Sequence, residues 1–300
     1  MGLSILIPVY NFDVSSLVNE LTAQLIVTGK EGEIILLDDG SDPSYITPNQ
    51  LLEQNAAVSF HRNMKNEGRM ASRQRLSGLA RYEYLLFLDC DSEIINQDFI
   101  AKYFELVEKE IELASGGRKY SDSIPSGCEL KLHWKYGTKR ETRKPGDIHS
   151  PGFMSNNFLI KKVIFYQLDN FLELPGYGHE DSFWGIQFEQ TGVKCLYFEN
   201  PVLHTALEKA EIFLAKSENA LANLLLLEKN IGKTFLSRHI KIFRWYCRIK
   251  RTGLSGVYLF FEKPFHKYFL KNLLSCNPSL YYFDFYRLAL LLRKARSAKK

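Results

Sequence analysis

Two aspartates separated by one residue, Asp89 and Asp91, have the types and spacing best suited to chemistry in this chain. They directly follow the apolar residues 84–88, which are typical of a buried strand. Side chains at i and i+2 of an extended backbone point the same way, so the two carboxylates form an anionic, all-oxygen site. Mg²⁺ and Mn²⁺ prefer such ligands and complete their shells with waters and substrate phosphates. The pair therefore indicates diphosphate chemistry; the alternative is an acidic turn that caps the next helix.

The strand that ends at Leu88 belongs to a series in which strand and helix patterns alternate. The predicted strands are residues 3–9, 33–37, 57–61 and 84–88, and the predicted helices are residues 17–25, 45–54 and 71–81. This alternation is typical of a mainly parallel sheet with helices on both faces. Ligands of such sheets bind at the carboxyl ends of the strands, which is where Tyr10, Asp39, Asp89 and Asp91 occur.

The second half of the chain is less regular. Residues 115–152 are rich in Gly, Ser, Lys and Arg, which predicts loops with one or two irregular strands. Later patterns predict strands at residues 158–160 and 194–198, and helices that end near residue 190 and cover residues 206–230.

Composition narrows the class of protein. The 300 residues carry a net charge of +5, and the excess lies in residues 231–300, which indicates an acidic partner such as a membrane surface, a nucleic acid or an anionic substrate. The five cysteines are scattered and form no Cys-x-x-Cys pair, so we expect reduced thiols in a cytosolic setting. The N-terminus lacks a secretory-signal pattern, and no stretch of 18 apolar residues occurs. No Gly-x-Gly-x-x-Gly follows the first strand and no P-loop motif is present, which argues against both kinds of nucleotide fold.

Four segments together resemble the family 2 glycosyltransferases, which have the glycosyltransferase A fold. They are residues 5–11 (Ile-Leu-Ile-Pro-Val-Tyr-Asn), residues 37–41 (Leu-Asp-Asp-Gly-Ser), Asn66-x-Gly68 with Arg73, and residues 87–91 (Phe-Leu-Asp-Cys-Asp). Their order and spacing also match, over residues 3–93. The resemblance implies an α/β nucleotide-diphospho-sugar transferase fold and sugar transfer with Mn²⁺ or Mg²⁺ as cofactor.

The resemblance assigns roles to residues of this first half. Asp89 and Asp91 are expected to hold the metal and the diphosphate, and Arg73 is expected near the nucleotide. The residues expected to hold the base and ribose are Pro8, Tyr10 and Asp39. From residue type alone, Asp39 also fits a turn with a helix cap, and Arg73 fits a surface arginine or a partner of the acidic pair.

A second resemblance covers residues 176–185 (Gly-Tyr-Gly-His-Glu-Asp-x-x-Trp-Gly), which are similar to the Gly-Glu-Asp region of galactosyltransferase and chondroitin-polymerase-type enzymes. It implies that Glu180 binds the acceptor and that Asp181 takes the proton of the acceptor hydroxyl in an inverting transfer. The alternative is the acidic first turn of a helix. The other expected sugar and metal ligands are Tyr177 and Trp184 for the acceptor, Asn157 and His179 for the donor sugar, and His204 for the metal.

The leading hypothesis is a metal-dependent, inverting glycosyltransferase that moves one sugar from a UDP-sugar or similar donor to a saccharide or lipid-linked saccharide in polysaccharide assembly. Processive synthases of the family carry Gln-x-x-Arg-Trp, and residues 241–245 (Lys-Ile-Phe-Arg-Trp) lack the glutamine, which favours single additions. One alternative is a sugar-nucleotide pyrophosphorylase, whose glycine-rich loop after the first strand is missing. Another is a catalytically inactive nucleotide-sugar-binding module with a membrane- or partner-binding tail.

These patterns predict a catalytic domain at residues 1–230, with a nucleotide-binding half (1–114) and an acceptor-binding half (115–230). Residues 231–300 are expected to form a basic, aromatic, helical appendage. Aromatic rings beside cations suit an anionic membrane surface, so we expect a cytoplasmic protein, peripheral at the inner face of the membrane, without a nucleic-acid partner. The alternative is an appendage that packs its rings on the catalytic domain or on a second subunit.

Overall fold

A computed structural model describes residues 2–142, 153–168, 174 and 178–297 of the chain. The described residues contain ten strands: β1 (Leu3–Val9), β2 (Gly32–Asp38), β3 (Val58–Arg62), β4 (Tyr84–Leu88), β5 (Ser92–Ile94), β6 (Leu113–Ser115), β7 (Arg118–Lys119), β8 (Asn157–Lys161), β9 (Leu196–Tyr197) and β10 (Val202–His204). Seven of them form one sheet in the order β3-β2-β1-β4-β8-β6-β9. The first four run parallel, and β8 runs antiparallel to its neighbours β4 and β6. The mixed, mainly parallel α/β architecture predicted from the sequence is confirmed.

Twelve α-helices flank the sheet or extend from it within the described residues. They are α1 (Ser15–Thr28), α2 (Pro43–Gln50), α3 (Arg69–Leu79), α4 (Phe99–Glu108), α5 (Lys131–Tyr136), α6 (Lys162–Gln167), α7 (Glu180–Thr191), α8 (Ala210–Ile231), α9 (Lys233–His239), α10 (Lys241–Arg251), α11 (Ser255–Leu273) and α12 (Leu280–Ser297). The prediction of loops and irregular strands over residues 115–152 missed α5 and the π-helical turn that follows it. The sequence of α5 has no helical periodicity of apolar residues, so tertiary packing stabilises the helix. Leu132 and His133 are buried, and the ring of His133 stacks on Phe213 of α8.

The central strands are buried on both faces because their side chains alternate between two hydrophobic clusters. Ile5 and Ile7 of β1 pack with α1 and α4, whereas Leu6 between them belongs to the cluster on the opposite face. Such strands contribute apolar side chains to both layers, and they hold the polar residues that follow them at one edge of the sheet.

The C-terminal helices are continuous with the core of the sheet. Leu236, Phe243, Tyr246 and Leu291 are buried in the same cluster as Phe87 of β4. The predicted helical appendage is therefore present, and the alternative of packing on the catalytic domain is correct for α9, α10 and α12. The division of the chain at residue 230 stays a prediction, because the hydrophobic cluster crosses it.

A disulfide joins Cys128 to Cys276, across a sequence separation of 148 residues. It corrects the expectation that all five cysteines are reduced; Cys90, Cys195 and Cys247 are free. The bond fastens the α11–α12 connection to the segment before α5. The bidentate ion pair of Arg140 with Asp284, at 2.6 and 2.7 Å, fastens α12 to the same region.

Among the described residues, the helices include none whose length and apolar content would let it cross a bilayer.

Candidate active site

Asp89 lies at the end of β4 and is clamped by two arginines. Nη2 of Arg73 donates to Oδ1 of Asp89 at 2.7 Å, and Nη2 of Arg118 donates to Oδ2 at 3.2 Å. Arg73 is only 1% exposed, and it also donates to the carbonyl oxygen of Ser155 at 3.1 Å. The backbone N–H of Asp89 donates to the carbonyl of Asn156, which extends the β4–β8 ladder to this point. Asp89 therefore sits in a rigid, charge-balanced setting, and both of its oxygens are already engaged.

Asp91 is paired with His204 instead. The antiparallel pairing of β5 with β10 places His204 opposite Ser92, so its imidazole lies beside Asp91. Nδ1 of His204 is 3.4 Å from Oδ1 of Asp91. These two atoms and Nε2 of His204 are buried and have no hydrogen-bond partner within the part of the chain that the structure describes. Buried polar atoms without partners are costly in a folded protein, and a carboxylate beside an imidazole is a donor set that suits a divalent cation such as Mn²⁺.

The charge of Asp91 is preserved despite its burial. Burial alone would raise the pKa of Asp91, but the His204 imidazole and the guanidinium groups of Arg118 and Arg69 hold it below its ordinary value. Burial raises the pKa of the intervening Cys90 to about 12, so this thiol stays neutral at physiological pH. The turn thus offers one anionic ligand, Asp91, and no thiolate. No group of three or more His, Cys, Asp or Glu side chains that could hold a metal occurs among the described residues.

The acidic pair Glu180 and Asp181 opens α7. Gly178 has φ 107°, and a Cβ there would lie 2.5 Å from Cβ of Ala220, so glycine is required for the close contact with α8. The N–H of Gly178 donates to Glu180 at 3.0 Å. The Ser155 hydroxyl donates to Oδ1 of Asp181. The segment before β8 and the start of α7 therefore meet at Asp181.

Both carboxyl groups of this pair have raised pKa values. Burial raises the pKa of Glu180, and the neighbouring charge of Asp181 raises it further. Burial likewise raises the pKa of Asp181, against the opposing effects of the Ser155 hydrogen bond and of Arg73. A raised pKa makes Asp181 a stronger base than an exposed aspartate, which is the property required of a group that accepts a proton near neutral pH.

A cleft of about 190 Å³ lies between the end of β4 and the start of α7. Asp89, Arg73, Glu180 and Asp181 line it, whereas Asp91 and His204 lie outside its lining. Five further lining residues were missed by sequence reasoning: Arg69, Arg118, Glu141, Ser155 and Arg287. Arg118 and Glu141 lie in the segment read as loops, and Arg287 reaches the cleft from α12, more than 100 residues downstream, so no local pattern could have indicated them.

The family model of glycosyl transferase family 2 matches residues 4–169, which is more than half of the chain. The chain belongs to this family. Its cleft is accordingly that of a glycosyltransferase, and the polar carboxyl ends of β1, β2 and β4 all lie within the matched region.

Two individual proteins are similar to this glycosyltransferase. Chondroitin synthase of Pasteurella multocida (strain Pm70) is 33% identical over 142 residues, which are 45% of this chain and 14% of the synthase. This chain therefore corresponds to a small part of that relative's length. A mannosyltransferase of Pyrobaculum calidifontis, solved in complex with GDP-Man and Mn²⁺, superposes with a TM-score of 0.56 over 99% of this chain and 88% of that one. At 11% identity, this likeness shows the glycosyltransferase A fold.

The residues predicted to hold the base and ribose in this glycosyltransferase lie at the carboxyl ends of β1 and β2. Tyr10 is 51% exposed and Pro8 is half-buried. Asp39 is buried, and it accepts hydrogen bonds from the side chain of Asn63 at 2.7 Å and from the N–H groups of Glu67 and Gly68, both at 2.9 Å. In this structure Asp39 therefore organises the loop before α3. Its contact with a nucleotide stays a prediction.

Two sugar-binding predictions are corrected. Trp184 is 0% exposed and packs on Phe158 and Phe165 in the core, with the Arg73 guanidinium 5.7 Å from its ring, so no face is open to an acceptor. Asn157 is also 0% exposed, and its amide donates to the carbonyl of Asn200 at 2.8 Å.

One asparagine and one histidine side chain near the sugar site line the cleft. The neighbour of Asn157, Asn156, lines the cleft and has a buried Oδ1 without a partner among the described residues. His179 also lines the cleft. Burial and the charge of Arg287 lower its pKa to about 3, so its imidazole is neutral. Tyr177 lies outside the described residues.

Proposed function

We propose that this family 2 glycosyltransferase performs a metal-dependent, inverting transfer of one sugar from a nucleotide-diphospho-sugar, such as a UDP-sugar, to a saccharide acceptor. The observation that carries the proposal is the convergence of Asp181 with the Asp89–arginine cluster on one cleft. A base and a cationic diphosphate site that line the same small cleft are the two parts that such a transfer requires.

The base is Asp181. In the proposed reaction the acceptor hydroxyl oxygen attacks the anomeric carbon, its proton passes to the Asp181 carboxylate, and the bond from the anomeric carbon to the diphosphate oxygen breaks. The Ser155 hydroxyl, which donates to Oδ1, is proposed to orient the carboxylate for this proton transfer. Glu180, held by the N–H of Gly178, is proposed to bind a neighbouring acceptor hydroxyl.

The diphosphate site combines fixed cations with a metal. Arg73 and Arg118 are held in place by Asp89, and Arg69 lines the same cleft. Asp91 and His204 are the residues that would hold Mn²⁺ or Mg²⁺, since their facing atoms are buried and without partners within the described part of the chain. When bound, such a cation neutralises the charge that develops on the leaving diphosphate. We assign Asp89 to orienting the arginines and to the nucleotide side of the site, and its expected role as a metal ligand stays a prediction.

The acceptor is proposed to be a saccharide in glycan assembly, free or lipid-linked. Support comes from the partial similarity to a chondroitin synthase. The absence of the glutamine of Gln-x-x-Arg-Trp from residues 241–245 supports a single addition per event.

An anionic membrane surface is the proposed partner of α11. Its apolar side chains are widely exposed: Phe260 is 74%, Phe261 64% and Phe265 54% exposed. Lysines occur at positions 263, 267 and 271, whereas the one acidic residue of the helix, Glu262, is buried in ion pairs with Arg293 and His266. Rings at headgroup depth beside unneutralised cations suit an anionic bilayer interface. The cytoplasmic location stays a prediction, and the Cys128–Cys276 disulfide removes part of its basis.

The test of this function is a screen of nucleotide sugars with the full chain. UDP-, GDP- and dTDP-sugars are incubated with Mn²⁺ or with EDTA, and release of the nucleoside diphosphate is measured. We expect slow, Mn²⁺-dependent release from one nucleotide class. Binding without release from any donor would support the inactive module, and release of a nucleoside triphosphate in the presence of pyrophosphate would support the pyrophosphorylase.

A further inference from the structure

A groove of about 1420 Å³ opens beside the candidate active site. It is lined by α7, α10, α12, residues 136–140 and residues 192–197, and it shares His179, Asp181, Ser182 and Arg287 with the smaller cleft. The groove therefore leads directly to the proposed base, which is the position where the reacting end of an acceptor lies.

The described lining of this groove carries five Lys or Arg side chains and three Asp or Glu side chains. The carboxylates of Glu189 and Asp284 line it, but Glu189 is paired with Arg238 at 3.1 Å and Asp284 is paired with Arg140. Four cationic side chains of the lining have no hydrogen bond or ion pair with any described residue: Lys139, Lys194, Lys241 and Arg287. Asp181 is left as the one lining carboxylate without a cationic partner in ion-pair contact among the described residues.

Arg287 is the cation nearest to the chemistry. Its guanidinium lies 5.0 Å from the ring of Phe283 on the same helix, which fixes its direction. Its Nε is buried and has no hydrogen-bond partner in the described part of the chain. It is close enough to His179 to lower the pKa of that imidazole. A half-buried guanidinium that pairs with no carboxylate of the described residues, beside a neutral histidine, is a site for an anionic group of a ligand.

Aromatic side chains accompany these cations. Trp245 is 48% exposed and Tyr281 is 79% exposed, and both line the groove. Exposed rings of this kind pack on the apolar faces of sugar rings and leave the hydroxyls to polar partners. Because the four cations lie on separate elements along the groove, they match a chain with charges on several units better than a single diphosphate.

We infer that the groove binds an acidic saccharide, and that Arg287 takes the carboxylate of the sugar unit next to the reacting hydroxyl. This inference rests on the proposed function, because it names the acceptor class of the same site. Arg287 is then a specificity-determining residue that the C-terminal appendage supplies to the catalytic cleft. The Cys128–Cys276 disulfide and the Arg140–Asp284 ion pair hold α12, and with it Arg287, in place beside the cleft.

The test uses the full chain with UDP and Mn²⁺ present and measures oligosaccharide binding by calorimetry. The probes are an unsulfated chondroitin hexasaccharide, chosen for its regularly spaced carboxylates, and the same hexasaccharide with its carboxyl groups reduced to alcohols. We expect the carboxylated probe to bind at least about tenfold more tightly. Arg287→Gln is expected to weaken its binding by about 10- to 100-fold, with partial recovery in Arg287→Lys. Arg296→Gln, an exposed arginine on the same helix outside the groove, is the matched control and should bind as the unchanged protein does.

Equal binding of the two probes, or no effect of Arg287→Gln, would overturn the inference. Tighter binding of farnesyl diphosphate than of the hexasaccharide, lost in Arg287→Gln, would also overturn it and would reassign the groove to a lipid diphosphate. Binding of UDP with Mn²⁺ is measured separately on the unchanged protein. If that binding is present while the probes do not differ, the inference alone fails; if it is absent, the proposed function fails as well.

Discussion

Arg73 and Asp89 form a buried ion pair beneath the cleft, with Nη2 of the arginine 2.7 Å from Oδ1 of the aspartate. Arg118 completes the arrangement on the other carboxylate oxygen at 3.2 Å. One carboxylate thus fixes two guanidinium groups, and Glu141 also contacts Arg118, at 3.5 Å. A diphosphate would meet cations that are already positioned, and no side-chain reorganisation would be needed to bind it.

Replacing Asp181 by Asn keeps the shape of the side chain and removes the proton acceptor. We expect transfer to fall by about 10²- to 10⁴-fold, the usual contribution of a general base, with donor affinity nearly unchanged. Transfer rates and donor dissociation constants are measured on the same preparation, with Glu180→Gln as the comparison. A collapse of donor affinity in Asp181→Asn, with near-normal transfer once the donor is bound, would move the base role to Glu180.

Removing the hydroxyl of Ser155 is expected to shift the pH profile. The Ser155 hydrogen bond favours the charged form of Asp181 and so lowers a pKa that burial raises. Without this donor the pKa of Asp181 rises, and activity is lost at a higher pH as the solution is acidified. The measurement is kcat/KM against pH for Ser155→Ala. Ser77→Ala, a buried serine that bonds within α3, is the control and should leave the acidic limb in place. If the acidic limb of the kcat/KM profile stays at the same pH in Ser155→Ala, Asp181 does not control that limb.

The sequence predicted the frame of this site because the frame is encoded locally. Apolar runs such as residues 84–88 identify strands, and polar residues at their carboxyl ends must share one edge of a parallel sheet. The pairing within that edge is not local. Asp89 and Asp91 have equivalent sequence settings, yet Arg73 takes one and β10 brings His204 to the other. Which partner each aspartate has therefore depends on tertiary contacts.

The same limit explains the two corrected sugar residues and the disulfide. Trp184 follows the acidic pair by a single helical turn, but that turn carries it onto the inner face of α7. Asn156 lies in the turn before β8 and Asn157 is the first residue of that strand. Both amides donate to the carbonyl oxygen of Gly117, at 3.3 and 3.1 Å, yet Asn156 lines the cleft and Asn157 is fully buried, and the sequence offers no means to choose between them. Cys128 and Cys276 meet only because α12 docks on the segment around α5.

The disulfide should contribute measurably to stability. Because it closes a separation of 148 residues, we expect Cys276→Ser to lower the free energy of unfolding by about 2–4 kcal/mol. Urea denaturation of the oxidised protein, the reduced protein and the variant is the measurement, and the last two should agree. Cys247→Ser, which removes a free thiol, is the control. Finding both Cys128 and Cys276 as free thiols by mass spectrometry of the non-reduced protein would contradict the pairing.

Membrane attachment through α11 is testable with point variants. Deletion of residues 231–300 is unsuitable because α10 and α12 belong to the core. We expect the Phe260→Ser, Phe261→Ser double variant to bind anionic vesicles about tenfold more weakly at low salt, since it removes two exposed rings. Ile26→Ser with Val27→Ser is the matched control, because these adjacent residues on α1 are 74% and 85% exposed. Co-sedimentation that is negligible for the unchanged protein, or equal for both double variants, would remove the membrane as a partner.

The metal-dependent diphosphate site is the central claim, and calorimetry of UDP binding with and without Mn²⁺ tests it most directly. The full chain should bind UDP in Mn²⁺ and much more weakly in EDTA. Asp91→Ala should abolish the Mn²⁺-dependent part, and His204→Ala should reduce it by a smaller factor. Asp122→Ala, at a side chain that is 95% exposed, should leave it intact. Unchanged Mn²⁺-dependent affinity in Asp91→Ala, in a variant that unfolds at the same temperature as the unchanged protein, would contradict the account.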